Sequence, residues 1–404
     1  MESDPLVVIL GLMAIFLSVV FPMGGIIFGA AVIIFEKKTN ILAILGIALG
    51  FAGFAMHYIY LPTDDMFRYV AYMNSIQYVN GISEFVSQIY SAMPVSEYGL
   101  NGQTWPLSAV LLFIISKTAD YRLLSAVTVV LSIFVRLFAI AKVTETDKVD
   151  ALTIFIRTFG YFSLIFMMTL KLPVSGFRWY VATDIVILLM ASDALNKELI
   201  TIPKLFWSVL AGLFHPAAWI YLGIKVFAAI VSSRNNSFIK RWLPIFAVVA
   251  LGVVVVLHSS LVGNVLNQFA AYVSGDSFSG TFEWMIKFYV GWFIIVSLMF
   301  SRFYLIRQDV SKANFYNVEF NYILTGLSLP FFLFQRIYPF AWVMLTVVWI
   351  FSVVKTKKFT YIDLAVVILT LVIGFTYYLT APGNFLPPTD LLSYGKMLIT
   401  PIWR

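Results

Sequence analysis

Cysteine is absent from this 404-residue chain, and histidine occurs only three times. Without cysteine there are no disulfides, no thiol nucleophile and no thiolate metal ligands, and three scattered histidines predict no zinc site. Charge is nearly as scarce: Asp, Glu, Lys and Arg make up 12% of residues, where a soluble domain carries roughly 25%. Hydrophobic residues make up 61%, and apolar runs near the ~20 residues that cross a bilayer recur along the chain. The expectation is an all-α, polytopic integral membrane protein of about 11–12 transmembrane helices, some of them short or re-entrant. No soluble domain is left over, so residues 1–404 read as a single transmembrane domain.

What is present fits that class. The 38 Phe, 21 Tyr and 10 Trp suit lipid contact and interfacial belts. The net charge of +7 reads as a topology signal, since short cytoplasmic loops accumulate Lys and Arg. No basic block is long enough for a nucleic-acid groove. The segment Met1-Glu2-Ser3-Asp4-Pro5 lacks the basic start of a cleavable signal peptide. Neither an internal repeat nor a low-complexity linker is found.

Residues 6–35 are apolar but interrupted by Pro22, Gly24 and Gly25, so they form one kinked helix or two short ones. A helix follows at 41–60. Residues 61–105 are the longest polar segment and set Asp64, Asp65, Glu84 and Glu97 against Arg68, which by charge is an external loop. Further apolar runs cover 106–116, 121–141, 151–170, 177–195, 203–231, 242–262, 284–301, 319–337, 339–354 and 360–380. Between 105 and 232 two topologies carry equal basic counts. In one, Lys117, Arg122, Lys171 and Arg178 are cytoplasmic and 203–231 is a single kinked helix. In the other, Lys142, Lys148, Lys197 and Lys204 are cytoplasmic, and 203–231 is a hairpin with His215 at its external tip. The second requires 106–116 to be re-entrant or interfacial.

The residues that bear on chemistry are cations at breaks in apolar sequence. Leu170-Lys171-Leu172-Pro173-Val174-Ser175-Gly176-Phe177-Arg178-Trp179-Tyr180 places an arginine where one hydrophobic helix ends and the next begins. Gly212-Leu213-Phe214-His215-Pro216 and Phe334-Gln335-Arg336 beside Tyr338 and Pro339 repeat the pattern. Arg178 and Arg336 can be snorkelling anchors or bidentate phosphate ligands. His215 can satisfy the carbonyl that Pro216 leaves unpaired, or it can donate to phosphate or move a proton. Asp64 and Asp65 can cap a helix. If that segment is helical, Asp65, Tyr69 and Tyr72 share a face, an acid beside two aromatics that suits a sugar. Asp184 and Lys225 sit deeper in apolar runs and are expected to pair with other helices. Glu283 and Lys287 read as a helix-start salt bridge, and His57 and His258 as lone interfacial residues.

Four of these segments together resemble the EpsG-type and Wzy-type polymerases of lipid-linked sugar repeats. Thr63-Asp64-Asp65-Met66-Phe67-Arg68-Tyr69-Val70-Ala71-Tyr72 resembles the family's Asp-x-x-x-Tyr motif. Ser175-Gly176-Phe177-Arg178 resembles its arginine-opened helix, Ala211-Gly212-Leu213-Phe214-His215-Pro216-Ala217-Ala218 its histidine segment, and Arg336-x-Tyr338 its late arginine. Two departures stand out. Trp179 occupies the place of a usual Gln, and the Tyr-Glu-Pro-like segment survives only loosely as Glu97-Tyr98 ahead of Trp105-Pro106.

The resemblance implies a GT-C-like membrane fold in the bacterial cytoplasmic membrane, with the arginine and histidine on its external side. It implies transfer of a growing glycan from undecaprenyl diphosphate onto the next lipid-linked repeat, with a chain-length regulator and a flippase as partner proteins. Arg178, Arg336 and His215 would then stabilise the diphosphate, and Asp65 first or His215 second would take the acceptor proton. Asp64, Arg68, Tyr69, Tyr72 and Tyr338 would contact substrate. The scheme calls for no cofactor and no metal. The rival readings are a membrane acyltransferase with His215 as base, a ligase of finished polymer, and a transporter of anionic lipids. A transporter would be expected to carry internal repeats.

Overall fold

The computed structural model describes residues 5–57, 65–90, 106–166, 176–195, 198–215, 217–232, 282–329 and 334–380. Within them the protein is all-α, with fifteen helices and no strand. In chain order these are α1 (Pro5–Val20), α2 (Pro22–Phe35), α3 (Ile41–Met56), α4 (Asp65–Ile76), α5 (Ile82–Tyr90), α6 (Pro106–Ser116), α7 (Arg122–Val143) and α8 (Ala151–Phe166). The remainder are α9 (Phe177–Leu195), α10 (Ile202–Phe214), α11 (Ala217–Ser232), α12 (Phe282–Tyr304), α13 (Lys312–Ser328), α14 (Phe334–Thr356) and α15 (Tyr361–Thr380). The chain, expected from its sequence to form one domain, divides into two compact units, residues 1–188 with 375–404 and residues 189–374.

In the first unit, Pro22 ends the question of one helix or two. It takes the first position of α2, where a missing N–H costs nothing, and Phe21 (φ −143°, ψ 85°) turns the chain back. The two helices and α3 then pack at the distance that only small residues permit. A Cβ at Gly25 would stand 2.4 Å from Ser18 Cα, and one at Gly46 would stand 2.7 Å from the backbone carbon of Ala14. Asn40 caps α3 by accepting the Ala43 N–H at 3.0 Å, and its amide donates to the Val7 carbonyl. His57 closes the other end with Nδ1 2.7 Å from the Gly53 carbonyl oxygen.

Arg157 fastens this corner. It is buried on α8 and donates from Nε to Thr144 Oγ1 (3.0 Å), from Nη1 to the Ile34 carbonyl (3.1 Å) and to the Glu36 carbonyl, and from Nη2 to the Thr144 carbonyl (2.8 Å). One guanidinium thus satisfies the terminal carbonyls of α2 and α7, where the helix dipoles are negative.

The polar segment read as an external loop carries two helices, α4 and α5, within 65–90. Met66, Tyr69, Val70, Met73 and Ile76 are buried, the spacing of a single apolar stripe. Lys117, just past α6, donates to the carbonyls of Gln77 (2.6 Å) and Val79 (2.7 Å) and so closes the C-terminal end of α4. Phe85 of α5 stacks on Phe113 of α6 at 4.4 Å, while Glu84 accepts the Asn80 N–H at 2.7 Å.

The second unit is also pinned by buried charge. The Asp193 carboxylate, near the end of α9, accepts from Lys204 (2.7 Å) on α10 and Lys225 (2.6 Å) on α11. Lys225 therefore pairs with another helix, as its depth in the sequence led us to expect. Arg302 on α12 meets both oxygens of Asp363 at 3.1 Å and reaches Thr356 and the Lys358 carbonyl. Asp363 also takes the Trp349 indole N–H at 2.8 Å and the Thr360 N–H and hydroxyl at 2.7 and 2.8 Å. These bonds hold the α14–α15 turn, in which Lys357 adopts a positive φ of 51°.

Some expectations change. Pro339 does not separate two helices: α13 ends at Ser328 and α14 runs from Phe334 through Pro339 to Thr356. As the sixth residue of the helix, Pro339 removes the one N–H that would have met the Gln335 carbonyl. Among the described residues, α7 alone is long and apolar enough to cross a membrane by length and composition, and most other apolar helices are 10–17 residues long. The break at Pro22 divides what the sequence presents as one run at 6–35. The run at 242–262 and His258 lie outside the described residues, as do the side chains of Glu283 and Lys287.

Replacing Arg157 with Met should lower the thermal unfolding midpoint and cost roughly 3 kcal/mol, because it orphans several buried acceptors at once. Differential scanning of the purified variant reads this directly. An unchanged midpoint would show that Arg157 does not hold the corner.

Candidate functional site

Arg178 occupies the first turn of α9. The turn is set by Gly176, whose carbonyl accepts the N–H groups of Trp179 and Tyr180 at 3.1 Å, and by Phe177, which is fully buried. Phe177 meets the Tyr69 ring edge-on with centroids 4.7 Å apart. Arg178 Nε donates to the Tyr69 hydroxyl at 3.0 Å, and its guanidinium carbon lies 5.3 Å from the centre of the same ring. The residue as a whole is half-buried, with its Nη1 atom enclosed. A snorkelling arginine would extend its head away from the protein; this one is folded back onto a buried phenol. It also adds a cation to the positive end of a helix, the reverse of what stabilises a helix start. Chemically, the first turn of α9 is a place that attracts an anion.

On α4, Asp65 is in the first turn and pairs with Arg68 at 3.7 Å, both side chains being largely open to solvent. Tyr69 and Tyr72 share the buried side, with 1% and 3% exposure. The expectation that the two rings offer a sugar platform is therefore corrected. Tyr69 has its ring covered by Phe177 and Arg178, and Tyr72 is packed in the core. Burial pushes the Tyr72 hydroxyl up to about 12, so it is a neutral phenol at physiological pH. Tyr69 instead acts as the seat of Arg178, and Asp65 and Arg68 are the solvent-facing members of the segment.

His215 belongs to the second unit and stands in extended conformation (φ −152°, ψ 129°) directly after α10. The hairpin alternative for 203–231 is the one observed, with α10 before it and α11 after. The two helices meet so closely that a Cβ on Gly212 would lie 2.4 Å from the Trp219 ring. The Ala217 N–H donates to His215 Nδ1 at 3.2 Å. That bond assigns the ring proton to Nε2. In this tautomer the imidazole is a donor at Nε2, which suits an anionic oxygen better than the role of proton acceptor.

Arg336 and Tyr338 fall in the first two turns of α14; their side chains, and Asp64, Glu97 and Pro216, lie outside the described residues. Sequence reasoning missed Arg136, Arg157, Asp193, Arg302 and Asp363, all buried, and counted Lys204, also buried, only as a topology charge. The signal was available, since any ionisable residue inside an apolar run demands a partner. Compared with family models, curated proteins and solved structures, the chain matches none.

Tyr69→Phe keeps the ring and removes the hydroxyl that holds Arg178. Modification of Arg178 by phenylglyoxal, followed by peptide mass spectrometry, should then run about fivefold faster, equivalent to a hydrogen bond of ~1 kcal/mol. An unchanged rate would mean that Tyr69 does not seat the guanidinium.

Proposed function

We propose that this chain is an integral membrane glycosyltransferase of the polysaccharide-polymerase kind. Its substrates are oligosaccharide repeats linked to polyprenyl diphosphate, presented on the external face of a bacterial cytoplasmic membrane. The observation that carries the reading is Arg178, a half-buried arginine in the first turn of α9 whose Nε donates to the buried Tyr69 hydroxyl. Supporting it are the 61% hydrophobic composition, the length of α7 and the four ordered segments that resemble the polymerase families.

In the reaction, the acceptor hydroxyl of one lipid-linked repeat attacks the anomeric carbon of the growing chain. The bond from that carbon to diphosphate breaks, a glycosidic bond forms, and polyprenyl diphosphate leaves. Diphosphate is already a competent leaving group, so the demand on the protein is electrostatic: cations placed where negative charge develops. Arg178 meets that demand with a planar fork that matches phosphate oxygens. Arg336 is a further candidate cation, and His215 in its Nε2–H tautomer a further donor. The acceptor proton goes to a base, for which Asp65, open to solvent at the start of α4, suits better than His215.

Purified protein supplied with lipid-linked repeats and no acyl donor should yield a ladder of chain lengths. Arg178→Lys should lose about 10²–10³ in rate, nearly as much as Arg178→Ala, because charge without the fork does not suffice. Asp65→Asn should slow the ladder by about 10²–10⁴, with a milder loss in His215→Ala. A ladder that appears only with an acyl donor, or full activity in Arg178→Ala, would contradict the reading.

A further inference from the structure

Of the four arginine–aspartate pairs among the described residues, Asp65–Arg68 is the solvent-facing pair on α4, and the other three differ in how well they close. Exposed Arg122 grips Asp120 with the Nε and Nη2 edge of its guanidinium, at 2.9 and 2.8 Å. Buried Arg302 and Asp363 are surrounded by donors and acceptors from Trp349, Thr356, Lys358 and Thr360. The third pair, Arg136 on α7 and Asp184 on α9, lies wholly within the first unit and is not closed. Its nearest approach is 3.5 Å, from Nη2 to Oδ1, with side-chain exposures of 1% and 3%. That exceeds the roughly 2.7–3.2 Å of a direct N–H···O bond. Arg136 Nε, Arg136 Nη2 and Asp184 Oδ1 are all buried without a hydrogen-bond partner. Ser132 donates to the other oxygen of Asp184, and Tyr180 lies against the guanidinium at 5.5 Å.

Two parallel N–H groups and one carboxylate oxygen, buried together and unsatisfied, define a missing group that accepts on one side and donates on the other. A buried charge left in that condition costs several kcal/mol, and a buried water typically makes about three hydrogen bonds to such atoms. We propose that the Arg136–Asp184 pair is a binding site for one water molecule. The water accepts from the Nε and Nη2 edge of Arg136 and donates to Asp184 Oδ1. Asp184 stands six residues after Arg178 on α9, about 9 Å along its axis. The hydrated pair is therefore the anchor, on α7, of the helix that presents Arg178.

An electron cryomicroscopy map of the full chain, at a resolution that resolves ordered water, tests this. A density peak within about 3.2 Å of Arg136 Nε or Nη2 and of Asp184 Oδ1 is expected. A guanidinium closed directly onto both carboxylate oxygens, with no peak, would overturn the proposal. Infrared spectra in D₂O of either oxygen isotope identify the occupant. An O–D stretch that shifts with ¹⁸O and vanishes in Arg136→Met is expected. A density peak without such a band would mean an ion, and would overturn the assignment of water.

Discussion

A charge carried into an apolar interior must find its partners there, because water is no longer available to solvate it. In this chain that requirement fixes several of the places where helices meet. Arg157 draws the ends of α2 and α7 to α8 through their own carbonyls. Asp193 draws α10 and α11 to the end of α9 through two lysines. Arg302 and Asp363 fix the turn between α14 and α15. Apolar side chains fill the space between these points, as where Trp292 meets Trp342 edge-on at 4.6 Å, but hydrophobic packing is not directional. The polar contacts are, and they set which faces meet.

Against that background Arg178 has a different character. The buried cations elsewhere serve carboxylates or helix carbonyls, both of which are stationary parts of the fold. Arg178 leans on a phenol at the start of a helix and remains half open. The Tyr69 phenol orients the guanidinium at a place where the helix dipole is positive. The functional proposal rests on that placement.

The legible parts of the fold were those governed by local chemistry. Pro22 marked a kink or a break between α1 and α2, Pro216 and His215 a kinked helix or a hairpin, and Asp65, Tyr69 and Tyr72 the face that a helix there would share. Misreadings came where a local rule has an exception. Pro339 is carried inside α14, and the acidic content of 65–90 concealed α5 because polarity alone does not exclude an amphipathic helix. Arg136 and Arg157 lay within apolar runs and were passed over, although such charges are the least neutral facts in a membrane-like sequence. Their partners could not have been read: Asp184 is far away in the chain, and the carbonyls that Arg157 holds have no signature in sequence. For the candidate site, Arg178 was legible as a cation at a helix boundary. That Tyr69 seats it rather than meeting a sugar was not, because only packing shows which face of an aromatic ring is covered.

The claim that partner shells, rather than charge itself, determine what each buried pair does is tested most directly by replacing whole pairs. Arg302→Met with Asp363→Leu should lower the unfolding midpoint, because it leaves the Trp349 indole N–H, the Thr360 N–H and the Lys358 carbonyl without partners. Arg136→Met with Asp184→Leu should leave the midpoint unchanged or raise it, since the pair meets only through water and two buried charges lose their desolvation cost together, and such replacements stabilise by about 1–4 kcal/mol in favourable cases. The opposite order, a stable first double variant and an unfolded second, would contradict the account.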